Sequence, residues 1–177
     1  MRLDRQKDIC TLIRAVWHLN KFTTINKKAH LAIVGTGELK EFLIKFTKHY
    51  KITKYIHFFD WTYEVSDFYF NSDIFLFSSC FEGFGRVILE AMHASLPVIV
   101  SNTEYGPREL IDNGKYGIMI KKFDYLSFSR NISLLLKDLK LLNYYRNQSR
   151  KRISYFSQWK FQKRYIKVLD DLTSQID

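Results

Sequence analysis

Five short apolar runs punctuate the chain: HLAIVG (30–35), YIHFF (55–59), IFLFSS (74–79), LPVIVS (96–101) and YGIMIK (116–121). Each is nearly continuous in apolar residues, as strands buried on both faces are. The segments between and before them, DICTLIRAVWHL, ELKEFLIKFTKHY, TYEVSDFYFNS, GRVILEAMHAS and PRELIDN, carry helical spacing or a helix-start signal. Pro107 suits the first position of a helix, where its missing N–H costs nothing. Strand and helix in strict alternation imply a parallel sheet, because parallel neighbours need a crossover of this length and right-handed crossovers put helices on both faces. Beyond Lys122 the pattern is helical only, in LSFSRNISLLLKDLKLLNYYRNQSRKRISYF and SQWKFQKRYIKVLDDL. The sequence therefore predicts an α/β fold: a Rossmann-like parallel sheet with helices on both faces, then C-terminal helices, in one domain over residues 1–177.

At 177 residues, 46% of them hydrophobic and 2 of them proline, the chain has enough apolar surface to close a core without staples. Cys10 and Cys80 form no CxxC and have no histidine at ligand spacing. They read as small buried hydrophobes in a reducing compartment, outside any disulfide or zinc framework. No apolar run reaches the ~18 residues of a membrane span, and the charged start MRLDRQKD leads into no signal-peptide core, so a cytoplasmic protein is expected. Lys and Arg number 28 against 18 Asp and Glu. The excess gathers between Lys121 and Lys167, where only Asp124 and Asp138 oppose it. Such a run favours an anionic partner, whether nucleic acid, an acidic membrane surface or a phosphate-bearing substrate, and is equally compatible with a solvated helical face.

Ligands of open α/β sheets sit beyond the carboxyl ends of the strands. After the third run comes EGFGRVILE, from Glu82 to Glu90. Gly83 and Gly85 permit a sharp turn with close approach of the backbone, and a helix starting near Gly85 offers unpaired N–H groups to an anion. Glu82 stands in the loop, while Glu90 lies one turn beyond Arg86 on the same helix face. Carboxylates accept from hydroxyls, so a phosphate carrying a sugar satisfies both halves of the motif. Taken singly, the glutamates read equally as a helix-start carboxylate and a surface ion-pair member. Gly35 and Gly37 form a G-x-G without its third glycine, which serves a strand-to-helix turn as well as a ligand loop and does not predict a nicotinamide cofactor. Trp61 and His93, on residue type alone, read as packing residues.

Several motifs in order resemble one family. EGFGRVILEAMHASLPVIVS followed by GPRELIDNGKYGIMI is similar to the E-x7-E region of the retaining GT-B glycosyltransferases of group 1, of the glycosyltransferase family 4 type. RLDRQKDICTLIRAV resembles that family's G-R-L-x-x-x-K-G segment, LAIVGTGELKEFL its strand and G-x-G loop, and IHFFDW the segment lining the base. SDIFLFSSCFEGFG resembles the strand that enters the motif.

The resemblance implies a nucleoside-diphosphate-sugar donor, with Glu90 accepting from the ribose and Glu82 holding the transferred sugar. The backbone around Phe84, Gly85, Arg86 and Val87 would meet sugar and diphosphate, and Gly35, Gly37 and Trp61 would lie on the donor side. Arg2 and Lys7 would contact the diphosphate and stabilise the departing charge. No D-x-D pair occurs in the sequence, in keeping with a family that needs no metal cofactor. The acceptor implied is a glycan or lipid-linked saccharide in bacterial-type surface polysaccharide or lipopolysaccharide synthesis, with the basic helices approaching the inner face of the membrane.

Met1 stands where the family has the glycine of G-R-L, and Asp60 where it has another glycine. The family's first donor-domain strand and its N-terminal acceptor domain would both lie before Met1. The chain is therefore expected to be the downstream part of a longer enzyme: a truncated gene, a decayed one, or one member of a split pair whose acceptor domain is a separate partner chain. In the strand order 3-2-1-4-5-6 the missing strand is internal, so a gap is expected between its neighbours. Two rival readings stay open: a non-catalytic remnant, and a basic nucleic-acid-binding protein using residues 121–167, whose salt-dependent binding would survive loss of Glu90.

Overall fold

In the computed structural model, which describes residues 1–167 apart from Asn26, Gln158, Phe161 and Arg164, all five apolar runs form strands. They are β1 (Leu31–Val34), β2 (Ile56–Phe59), β3 (Phe75–Phe77), β4 (Val98–Ser101) and β5 (Ile118–Ile120). Every pairing is parallel, with Ile33 opposite Phe58, Leu76 opposite Ile99 and Val100 opposite Met119. The crossovers carry α2 (Lys40–His49), α3 (Ser66–Phe70), α4 (Arg86–His93) and α5 (Pro107–Leu110). α1 (Ile9–Phe22) precedes the first strand, and α6 (Tyr125–Lys137) and α7 (Leu139–Tyr155) follow the last. Pro107 begins α5, as its fixed φ favours. The crossover segment TYEVSDFYFNS is helical over only the five residues of α3.

Hydrogen bonding divides the strands into two sheets, β1–β2 and β3–β4–β5; among the described residues no ladder joins β1 to β3. The segment Met1–Lys7 ties their carboxyl ends together. On one side the Met1 nitrogen donates to the Val34 carbonyl at 2.8 Å and Leu3 N–H to Thr36 O at 2.8 Å. On the other, Cys80 N–H donates to Gln6 O at 2.8 Å and Ser78 Oγ to Lys7 O at 2.7 Å. Gly35 and Gly37 have a local reason here, since a Cβ on either would overlap the backbone of Met1 or Leu3.

Alternation along β4 shows how the layers form. Val98 and Val100 face a core with Ile88, Met92, Leu110 and Ile111 from α4, α5 and the residue after it. Ile99 faces the opposite core, where Leu12, Ile13, Val16 and Leu19 of α1 meet Phe128, Ile132 and Leu135 of α6. The α1 residues recur three and four apart, one stripe of a helix laid on a sheet. β1 and β2 contribute Leu31, Ile33 and Ile56 to that core, while Ala32 and His57 on their other face are exposed. The expected cover on both faces therefore holds for β3–β5, and the five-residue α3 is too short to extend it fully over β1–β2.

The two acidic interruptions of the basic run are helix caps. Asp138 accepts from Lys140 N–H and Leu141 N–H, which ends α6 and starts α7. Asp124 accepts from Ser127 N–H at 2.9 Å and Ser127 Oγ at 2.7 Å at the start of α6. The Ser127 hydroxyl, then its N–H, holds the Asp124 carboxyl below its usual range. A depressed carboxylate stabilises the fold above its unfolded pKa and loses that effect as pH falls through the folded value. Asp124→Ala is expected to cost about 0.5–2 kcal/mol at neutral pH and nothing in strong acid, measured by urea unfolding at the two pH values.

Three arginines of the basic run are tied into the fold. Arg152 donates to the carbonyls of Leu110 at 2.7 Å and Glu109 at 2.6 Å, capping the end of α5, and its guanidinium lies over the rings of Tyr116 and Phe156. Arg150 donates to Ser95 Oγ, and Arg146 pairs with Asp73 at 3.6 Å. Cys10 and Cys80 are only half-buried free thiols, both with pKa raised chiefly by burial. Trp61 and His93 are exposed, so neither is the packing residue its type predicts; both stand at the ends of elements, where the core stops. The closing stretch 157–172 lies partly outside the described residues; within it Trp159, Tyr165 and Ile166 are exposed.

Candidate active site

The carboxyl ends of the strands and the Met1–Lys7 segment form one rim. Three bonds fix Lys7 there: Ser78 Oγ to its carbonyl, Gln6 Nε2 to Phe81 O at 3.0 Å, and Lys7 N–H to Asp4 Oδ1 at 3.3 Å. So anchored, the Lys7 ammonium meets the Glu82 carboxylate at 2.7 Å, with side-chain exposures of 18% and 21%. One ammonium N–H serves Glu82, and a lysine has two more for a ligand. The spacing of EGFG shows none of this, because the partners are 75 positions apart.

Gly85 is the N-cap of α4 with φ 88°, a left-handed conformation that favours glycine. Its turn leaves the first N–H groups of α4, at Arg86 and Val87, without intrahelical acceptors, an arrangement that attracts anions. Arg86 is exposed at this end and Val87 packs partly into the α4 core. Phe84 is exposed, and its backbone lies against Gly106, the residue before α5. Arg2 pairs with Asp4 at 2.9 Å and is 75% exposed, so it sits outside the Lys7–Glu82 contact.

Glu90 is exposed and accepts a hydrogen bond from the Tyr69 hydroxyl at 3.0 Å. Burial, then the neighbouring Glu90 carboxylate, pushes the Tyr69 phenol well above its usual pKa, so it stays a donor. Tyr69 comes from α3, just before β3, and nothing in its sequence neighbourhood marks it as Glu90's partner. The amino group of Met1 feels both sides of the rim: burial lowers its pKa most, Lys7 lowers it further and Glu90 opposes. Lys7 and Glu90 thus both act on the Met1 amino group.

Loops around the rim expose aromatic faces. Trp61 and Tyr63 follow β2 and meet edge to face at 4.2 Å between centroids. Phe81 and Phe84 follow β3, and Tyr105 follows β4. Asp60, beside Trp61, pairs with Lys40 of α2. Among the described residues no cluster of three or more His, Cys, Asp or Glu could hold a metal ion. No helix of the described residues is long and apolar enough to cross a membrane.

A parallel sheet with this rim is the fold of GT-B glycosyltransferases. TarM superposes with a TM-score of 0.84 over 94% of this chain and 33% of that one, at 20% identity. HepE of Anabaena, solved in complex with UDP, gives 0.84 over 97% of this chain and 47% of its own, at 18% identity. The chain belongs to the glycosyl transferases of group 1, whose family profile matches residues 1–152. Among its relatives is the N-acetylgalactosamine-N,N'-diacetylbacillosaminyl-diphospho-undecaprenol 4-alpha-N-acetylgalactosaminyltransferase of Campylobacter jejuni, 26% identical over 95% of this chain and 44% of the enzyme. Another is the lipopolysaccharide core biosynthesis glycosyltransferase LpsE of Rhizobium meliloti, 29% identical over 77% of this chain and 38% of LpsE. The chain thus spans less than half the length of these relatives.

Proposed function

We propose that this chain is the donor-binding half of a glycosyltransferase that moves a sugar, with retention, from a nucleoside diphosphate to a glycan or lipid-linked acceptor in surface polysaccharide or lipopolysaccharide synthesis. The acceptor half would come from an N-terminal domain, on this chain's own enzyme or on a partner chain, and the reaction would run on the cytoplasmic side. The observation that carries the reading is the rim itself: a paired base and acid, Lys7 and Glu82, and the open helix start at Gly85, with Glu90 one turn into that helix and held by Tyr69. The UDP bound by HepE is a guide to the nucleotide.

In this reading the diphosphate lies on the α4 start and takes N–H donors from Lys7 and from the backbone at Arg86 and Val87. Arg2 and Arg86, both exposed, add positive charge as the nucleotide leaves, so no divalent cation is required. Glu90 accepts from the ribose hydroxyls, Trp61 offers its face to the base, and Glu82 orients the departing sugar. The acceptor hydroxyl attacks from the side the phosphate leaves, and that phosphate takes the proton.

Calorimetry with UDP tests the assignment. Glu90→Ala is expected to weaken binding at least about tenfold, the scale of one or two hydrogen bonds to a charged group. Equal affinity in the two proteins would overturn the role given to Glu90.

A further inference from the structure

The groove between the C-terminal half of α1 and α6 is lined along α6 from Leu126 to Lys137, and none of its lining residues belongs to the donor rim. It is a shallow, open groove of about 400 Å³. His18, Arg130 and Lys137 line it together with the hydroxyl residues Thr23 and Ser133, and no carboxylate does. Asp124 and Asp138, the acidic residues that flank α6, are both engaged as helix caps, and the His18 Nδ1 meets Ser129 Oγ at 3.0 Å. The lining is therefore a set of cations and hydroxyls suited to a phosphate.

A free anion explains only half of the surface. Leu126 and Leu134 stand two helical turns apart on α6 with Arg130 midway between them, each 49% exposed. Phe22, beside Thr23 at the end of α1, is exposed as well. A solvated face would carry polar residues at these positions, and a nucleic-acid surface would place flat aromatic rings where the leucines stand. Apolar side chains interleaved with cations are instead the composition of a surface that lies on a bilayer.

We propose that this groove is a docking site for anionic phospholipid: Arg130 and Lys137 take the headgroup phosphate, and Leu126 and Leu134 enter the acyl boundary. The inference does not depend on the donor assignment. It also narrows the membrane face from the whole basic stretch 121–167 to α6, the arginines of α7 largely serving the fold.

Sedimentation of the full chain with vesicles tests it. The protein is expected to partition onto phosphatidylcholine vesicles containing phosphatidylglycerol and to stay free of pure phosphatidylcholine. Arg130→Glu with Lys137→Glu should lower the partition coefficient at least about tenfold, roughly as expected for reversing two cations near a charged surface. Leu126→Ser with Leu134→Ser should lower it severalfold, whereas Lys151→Glu on α7 should leave it unchanged. All these side chains are exposed, and the milder Arg130→Gln with Lys137→Gln pair gives the same reading if the glutamates disturb folding. Equal binding to neutral vesicles overturns the proposal, as does full binding by the Arg130 and Lys137 variants. Loss with those variants but not with the leucine pair reduces the groove to a site for free phosphate and overturns the lipid assignment. UDP affinity, measured on the same variants, should be unchanged, which keeps this test separate from that of the donor rim.

Discussion

Lys7→Ala is expected to lower affinity for UDP about ten- to a hundredfold and to destabilise the protein, although Lys7 lies on the surface rim. Two effects coincide. The ligand loses a charge-assisted donor, about 1.5–3 kcal/mol. Glu82, four-fifths buried by its neighbours, loses its 2.7 Å partner and is left an unpaired carboxylate. The two effects separate in the double variant. Lys7→Ala with Glu82→Gln removes the stranded charge, so urea unfolding should recover much of the lost stability while calorimetry still shows weak binding. Full affinity in Lys7→Ala would remove this lysine from the donor site and leave the ion pair a structural contact only.

Gly106→Ala is expected to be strongly damaging. Gly106 has φ 70° and ψ −89°, and a Cβ there would lie 2.6 Å from the Phe84 carbonyl oxygen and 2.8 Å from its Cα. The obstacle is backbone, which cannot rotate away as a side-chain tip can. Relief requires the EGFG turn to move, and with it the start of α4. Steric overlap and a left-handed backbone together should cost about 2–4 kcal/mol, a fall in Tm of roughly 5–15 °C for a chain of this size. Gly83→Ala in the same loop is the control: a Cβ there meets nothing within 4 Å, and Tm should change little.

The strands were legible as short apolar runs, most plainly where both faces are covered; β4, all four residues buried, is the clearest case. The helix start at Gly85 was legible for a related reason, since turn and cap chemistry is local. Pairings across the fold were not. Lys7 and Glu82 each stood out, yet their contact depends on Gln6 and Lys7 being stitched to the β3 exit, a tertiary fact. Tyr69 carries no local mark at all; its phenol matters only because α3 sets it beside Glu90. The basic run misled in the opposite direction. Charge counted along the sequence treats Arg146, Arg150 and Arg152 as free, but they cap and bridge α4, α5 and the residues around them.

The seam between β1 and β3 has a mechanical meaning. Two panels without a shared ladder are held by α1 beneath and by a seven-residue tether at one edge, so the line between them is the crease along which the domain bends most easily. Met1 and Leu3 are bound on the β1 side of that crease, Gln6 and Lys7 on the β3 side. A molecule gripping both sides would act as a latch, and the stiffness of the whole domain would rise with its occupancy.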